Sequence, residues 1–204
     1  MYKRYVKRPL DIIAAVIILL LLLPIGLITA IIIRITTGSP IIFRQPRTGL
    51  YGDIFTMYKY RTMQCNNSVH DTTTENQMTS VGKFVRAASL DEVPQLLNII
   101  KGEMSFIGPR PWIPDYYAAM TPEQRKRCNV MPGITGLAQV KGRNSISVHE
   151  KINYDLHYVD NISLREDAKI VLLTARTLFE KGSKYIEKSS IHQEIQILMK
   201  DQRG

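Results

Sequence analysis

Along the chain, apolar and polar positions fall into segments of very different character. After Asp11, no charged residue occurs across 12–33. As a helix rising ~1.5 Å per residue, this run measures about 33 Å, enough to cross the ~30 Å hydrocarbon core of a bilayer once. A cleavable signal peptide fits poorly, because the run is too long and no small-residue cleavage site follows it. Pro24 lies near its middle and cannot donate a backbone hydrogen bond. A kink is therefore predicted there, leaving two halves each about half a bilayer long. Cations flank both ends: Lys3, Arg4, Lys7 and Arg8 precede the run, and Arg34, Arg44 and Arg47 follow it. Charge thus assigns neither flank to the outside. A hairpin-like re-entrant helix and a kinked spanning helix both satisfy these residues.

Beyond the run the pattern becomes that of a folded domain. Apolar stretches at 41–43 and 54–58, separated by Pro46, Gly49 and Gly52, predict a β-hairpin whose second strand continues into Lys59-Tyr60-Arg61. Segment 64–79 is polar and aperiodic, which predicts a mobile loop. Helical periodicity recurs at 81–88, 90–100, 147–161 and 164–181, and in two pieces across 114–128 broken near Thr121-Pro122. Leu156, Val159, Ile170, Leu173 and Leu178 are the expected core positions of the later helices. Past Gly182, Ile191, Ile195, Leu198 and Met199 form a weak amphipathic pattern, suited to docking on the domain, on a second subunit or on membrane. The predicted fold is α+β and mainly helical, with one small hairpin.

Composition narrows the partners. A chain of 204 residues holds one ordinary domain plus a small appendage, and its formal charge of +9 calls for a polyanion: nucleic acid, an acidic membrane surface or a phosphorylated small molecule. No nucleic-acid-binding module is recognisable. Cys65 and Cys128 lie far apart, without metal-ligand or redox spacing, and the four histidines are scattered. A reducing compartment is expected, and any metal must be held by oxygens. Neither a strand followed by G-x-G-x-x-G nor a P-loop is present.

The chemistry-bearing candidates are few. In S-L-D-E-V-P-Q, at 89–95, Ser89 and Glu92 have capping-box spacing, which predicts a helix start there. An anion at a helix N-terminus is held in its ionised form, leaving Asp91 either a cap or a nucleophile. Pro109 and Pro111 hold Arg110 in extended backbone, suited to phosphate or a flat ring, or to a simple turn. Arg44, Arg47, Lys59 and Arg61 suit phosphates or a solvated strand edge. Arg125, Lys126 and Arg127 suit acidic lipid head groups or a solvated face. Glycines in P-G-I-T-G-L-A-Q-V-K-G-R-N, at 132–144, permit tight turns and close approach of backbone to a ligand, and the segment ends in Lys141 and Arg143.

Four blocks carry a family resemblance: M-Y-K-Y-R-T-M at 57–63, R-A-A-S-L-D-E-V-P-Q at 86–95, M-S-F-I-G-P-R-P at 104–111, and the glycine-containing block at 132–144. With K-R-P-L-D at 7–11, the chain resembles the monotopic phosphoglycosyl transferases, the bacterial sugar transferases, and especially their small, PglC-like members. The resemblance implies transfer of a sugar-1-phosphate from a UDP-sugar to undecaprenyl phosphate, with release of UMP and use of Mg2+, at the cytoplasmic face of the bacterial inner membrane. It implies a re-entrant anchor over 1–36 kinked at Pro24, a compact catalytic domain over 37–182 with amphipathic interfacial helices, and a tail over 183–204. It places the catalytic dyad at Asp91 and Glu92, with Asp91 as nucleophile and metal contact. Arg86 falls where the family holds the lipid phosphate, and Lys59, Arg61, Arg110 and Arg143 fall where it binds nucleotide or diphosphate. Anionic lipids and a second copy of the chain are the further partners, and nucleic acid is not one. A catalytically silent scaffold for glycan assembly is the alternative, against which the intact dyad with Arg86 argues. Leu23 precedes Pro24 where relatives often have Ser, and Leu137, Lys141 and His149 replace common family residues.

Overall fold

The computed structural model describes residues 2–63, 78–142, 146–179 and 191–202. A π-helical turn over Tyr2–Val6 leads into α1, Lys7–Thr37, a single helix of 31 residues that continues through Pro24. It is long and apolar enough to cross a membrane. One stripe, Asp11, Ala15, Gly26, Thr29 and Ile33, is buried, while Leu20, Leu21, Leu27, Ile28 and Ile31 stand exposed on the rest of its surface.

That stripe fastens α1 to the domain along its length. At the N-terminal end, Lys7 Nζ pairs with Asp167 at 2.6 Å, and the hydroxyls of Tyr2 and Tyr158 donate to the same carboxylate at 2.6 Å each. Losing one partner of a buried ion pair of this kind costs about 3–5 kcal/mol, so this junction is strongly specified. Arg8 donates to the carbonyl of Ile99 at 2.7 Å and to that of Met104 at 3.2 Å, satisfying acceptors near the end of a neighbouring helix. Farther along, the Tyr60 hydroxyl donates to Gly26 O at 2.9 Å. Arg61 donates to Ser39 O at 2.7 Å and to Thr37 O, where α1 ends.

The hairpin forms as the sequence predicts, with longer strands. β1, Ile42–Thr48, pairs antiparallel with β2, Ile54–Tyr60, from Ile42↔Tyr60 to Thr48↔Ile54. Pro46 lies inside β1 rather than in the turn, which is tolerated because β1 pairs on one side alone. Next come α2, Ser80–Ala87, and α3, Gln95–Lys101. The first half of α1 packs beneath α3, where Ala15, Met57, Leu96, Ile99 and Met104 form a buried cluster.

A second sheet was not expected. β3, Ser105–Ile107, pairs in parallel with β4, Gly133–Thr135, and strands this short carry no readable alternation. Their glycines are required by contact: a Cβ on Gly133 would lie 2.2 Å from Gly108 N, and one on Gly108 2.3 Å from Met131 O. The remaining helices are α4, Pro114–Ala119; α5, Pro122–Arg125; α6, Leu137–Lys141; α7, Val148–Asp160; α8, Leu164–Phe179; and α9, Ile191–Asp201. The break at Thr121-Pro122 is present, and Ser147 and Glu150 close a capping box at the start of α7. Ile170 and Tyr158 are core, as is Ile152. Of the three places open to the tail, α9 takes the domain. Ile195 and Leu198 join Ile113, Tyr116, Met120 and Ile152, while Glu194 accepts from Tyr116 at 2.5 Å and Lys151 at 2.8 Å.

Among the described residues, the structure is thus mainly helical α+β with two small sheets. Gly133→Ala should destabilise the fold by about 2 kcal/mol through forced separation of β3 and β4. Thermal unfolding should register this as a midpoint lowered by roughly 4–8 °C.

Candidate active site

Between α2 and α3 the chain reverses, and that reversal presents the acidic pair. The capping box predicted for Ser89 and Glu92 does not form. Ser89 adopts a left-handed conformation, φ 55°, and its side chain makes no capping bond. Leu90–Glu92 is a single 3-10 turn, and the regular helix starts only at Gln95. Spacing marks Ser89 and Glu92 as a cap, but the Glu92 carboxylate is committed to tertiary partners instead.

Glu92 is the clearest case. Its Oε1 accepts from Lys59 Nζ of β2 and from Arg110 Nη2, both at 2.9 Å. The three side chains come from the hairpin, the turn and the G-P-R-P segment. Burial alone would raise the Glu92 pKa, but the combined pull of Arg110 and Lys59 exceeds it and brings the carboxyl down to about 2. Lys59 shifts downward, first because it is buried and then because Arg110 is close, with Glu92 only partly offsetting both. With Arg86, three cations face the two carboxylates of Asp91 and Glu92, which leaves the group able to accept a further anion.

Asp91 has the opposite tendency. Burial pushes its carboxyl upward, aided by neighbouring Glu92, and the pull of Lys59 and Arg86 does not fully offset this. Helix-start geometry was expected to favour the ionised form of Asp91, but no regular helix begins there and desolvation shifts its carboxyl upward instead. A raised carboxylate is the more basic of the two and the better electron-pair donor.

Arg86, on α2, lies close enough to act electrostatically on Asp91, and its Nε donates to Thr62 Oγ1 at 2.8 Å. Thr62 escaped the sequence reading, although it lies inside the M-Y-K-Y-R-T-M block. So did Asn98, fully buried, whose Oδ1 accepts from Tyr58 N at 3.2 Å and whose Nδ2 donates to Thr56 O at 2.7 Å, locking α3 to β2. Lys59, Arg86, Arg110, Asp91 and Glu92 therefore form one group.

Other predicted residues lie elsewhere. Arg61 is 6% exposed, with its guanidinium on the carbonyls that end α1. Arg143 lies outside the described residues, as does most of the predicted loop, 64–77. The basic face expected at Arg125, Lys126 and Arg127 is not one: Arg127 is 2% exposed and ion-paired with Asp155 at 2.6 Å. Arg125 donates to the carbonyls of Tyr117 and Ala118, and Lys126 pairs with Glu123. Among the described residues, no cluster of three or more His, Cys, Asp or Glu side chains could hold a metal. One or two carboxylates suit Mg2+, which keeps most of its waters and takes further oxygens from a substrate's phosphates.

An apolar anchor fastened to a cation-rich carboxylate pair defines a membrane-associated, anion-handling enzyme type, and comparison with known proteins gives the family. A model described as bacterial sugar transferase matches residues 2–181, and the chain belongs to that family. It is 45% identical over 175 residues to an uncharacterized sugar transferase, EpsL, of Bacillus subtilis (strain 168), covering 83% of this chain and 85% of the relative. It is 40% identical over 191 residues to a UDP-glucose:undecaprenyl-phosphate glucose-1-phosphate transferase of Caulobacter vibrioides, covering 88% and 72%. A galactosyl transferase, CpsE, of Streptococcus agalactiae serotype III is 38% identical over 188 residues, covering 84% of this chain and 42% of the relative.

Glu92 provides a pH test. Its folded pKa of about 2 lies below the ordinary 4.5, so its ion pairs stabilise the fold fully above pH 4.5 and lose that contribution as pH falls from 4.5 through about 2. Glu92→Gln should cost about 2 kcal/mol at neutral pH. The deficit relative to wild type should shrink across that acid window, as read by urea unfolding at a series of pH values.

Proposed function

We propose that this protein transfers a sugar-1-phosphate from a UDP-sugar to undecaprenyl phosphate, releasing UMP, by two displacements at Asp91. What carries the reading is the basic, half-buried Asp91 carboxyl beside a Glu92 held by two cations. The names of several relatives, including the Caulobacter vibrioides transferase, specify the same class of donor and acceptor.

In the first displacement an Asp91 carboxylate oxygen forms a bond to the sugar-bearing phosphorus. The bond from that phosphorus to the bridging oxygen breaks, and UMP leaves with the electron pair. In the second, a phosphate oxygen of undecaprenyl phosphate attacks the same phosphorus and Asp91 departs as a carboxylate. Splitting the transfer in two lets donor and lipid acceptor use one site in turn. Phosphoryl transfer depends mainly on positioning and charge neutralisation. Lys59 and Arg110 take the diphosphate charge, Glu92 orients them, and Arg86 receives the lipid phosphate. Asp91 would hold Mg2+, which would supply charge neutralisation for the phosphates.

The anchor fits a re-entrant course. Lys7 and Arg8 tie the beginning of α1 to the domain, and Arg61 ties its end to the same domain. With both ends on one body, both sit on one side of the bilayer, which we assign to the cytoplasmic face of the bacterial inner membrane. The exposed apolar face between them then lies in the hydrocarbon without the helix crossing to the other side.

Two experiments test these readings. Asp91→Asn should lower UMP release by at least about 10³-fold and abolish the covalent phosphosugar while leaving the fold intact. An adduct still detected by mass spectrometry on that variant would remove Asp91 as nucleophile. For the anchor, Lys3→Cys in a Cys65→Ser background should resist an impermeant thiol reagent in intact cells and react once the cells are opened. Labelling from outside would replace the re-entrant course with a spanning one.

A further inference from the structure

Around Arg110, four consecutive carbonyls are each held by a hydrogen bond from residues remote in sequence. Pro109 O accepts from Gly133 N of β4 at 3.0 Å, and Trp112 O accepts from Thr48 N of β1 at 2.8 Å. Between them, Arg110 O accepts from Arg127 Nη2 at 2.9 Å and Pro111 O from Arg47 Nη1 at 3.3 Å. Pro109 and Pro111 have fixed φ and no N–H of their own, so this short segment retains little backbone freedom.

The two arginines that supply the inner bonds are themselves immobilised. Arg127 donates from Nε at 2.9 Å and from Nη2 at 2.6 Å to Asp155 Oδ2, and its guanidinium lies 4.0 Å from the centre of the Trp112 ring. Arg47 Nη2 donates to Gln45 Oε1 at 2.5 Å, and burial pulls its pKa down to about 10. Taking cations out of water is costly. A guanidinium can engage a side-chain acceptor and a carbonyl together, which an ammonium does less well.

We infer that Arg127 and Arg47 are positioning residues of the site: they fix the main chain at Arg110 and Pro111 so that the Arg110 guanidinium is set on Glu92 before an anionic substrate arrives. Neither bonds to the dyad in the structure. The Arg110 side chain is 41% exposed, and an exposed arginine on a mobile backbone would lose much of its freedom on engaging a carboxylate. Anchoring the backbone removes part of that loss. The inference deepens the proposed function by assigning residues to the same site.

The test uses the full chain in detergent, labelled with 15N in its arginine side chains, the Arg110 Nε–H signal being the one lost in Arg110→Ala. Without substrate, that signal in wild type should report an ordered side chain, and Glu92→Gln, which weakens the acceptor, should raise its mobility. Arg127→Lys keeps a cation for Asp155, and Arg47→Gln keeps a donor for Pro111. Each should likewise lower the Arg110 side-chain order parameter, although neither changes Arg110 or Glu92. Should Arg127→Lys not fold, Arg47→Gln carries the same comparison. An unchanged order parameter in folded single variants would overturn the inference. UMP release should fall about tenfold in the single variants without adding to the effect of Arg110→Ala in a double variant, and additive losses would also overturn it. Wild type that released no UMP would refute the proposed function, while the Arg110 order parameter would still decide this inference.

Discussion

The structure turns on a single carboxylate oxygen. Glu92 Oε1 receives Lys59 from the hairpin and Arg110 from the segment after β3, at 2.9 Å each, and so joins parts of the chain that are remote in sequence. Two cations drawn to one anion would repel each other and drift apart were either backbone loose. Asn98 ties α3 to β2 on one side, and the Pro109–Trp112 carbonyls are secured on the other. The charge pattern at the dyad is therefore held by the fold and does not have to be assembled by a substrate.

The two neighbouring carboxylates become chemically unlike through their surroundings. Glu92 is driven down to about 2 and remains an anion under all ordinary conditions, whereas Asp91 is driven upward by burial. One is a fixed counter-charge, the other a carboxyl made more basic by its burial. Lys59 acts on both, but Arg110 is bonded to Glu92 whereas Arg86 acts on Asp91.

How much of this the sequence revealed depended on how local the cause was. The α7 capping box, the break at Thr121-Pro122 and the hairpin follow from residues close together, and all three are present. The same grammar failed at Ser89, where a left-handed residue and long-range ion pairs displaced the cap. The motif blocks led to Asp91, Glu92, Lys59, Arg86 and Arg110, which the structure gathers together. The blocks did not distinguish cations that face the site from cations that build it. Arg61, Arg127 and Arg47 look like phosphate or lipid ligands in the sequence, and only their long-range acceptors, such as Asp155 28 residues from Arg127, reveal them as internal ties. Likewise, the parallel pairing of β3 with β4 rests on contact between glycine backbones, for which no local pattern exists.

Three successive residues at the end of the hairpin carry a mechanical consequence. Lys59 holds Glu92, Tyr60 holds Gly26 in the middle of α1, and Arg61 holds the carbonyls at the end of α1. Force applied to the helix reaches the acidic pair through one stretch of backbone, without a flexible linker to absorb it. A displacement of α1 against the domain would therefore bear directly on the backbone that carries Lys59. The helix and the acidic pair are mechanically one unit, with the strand end as the shared brace.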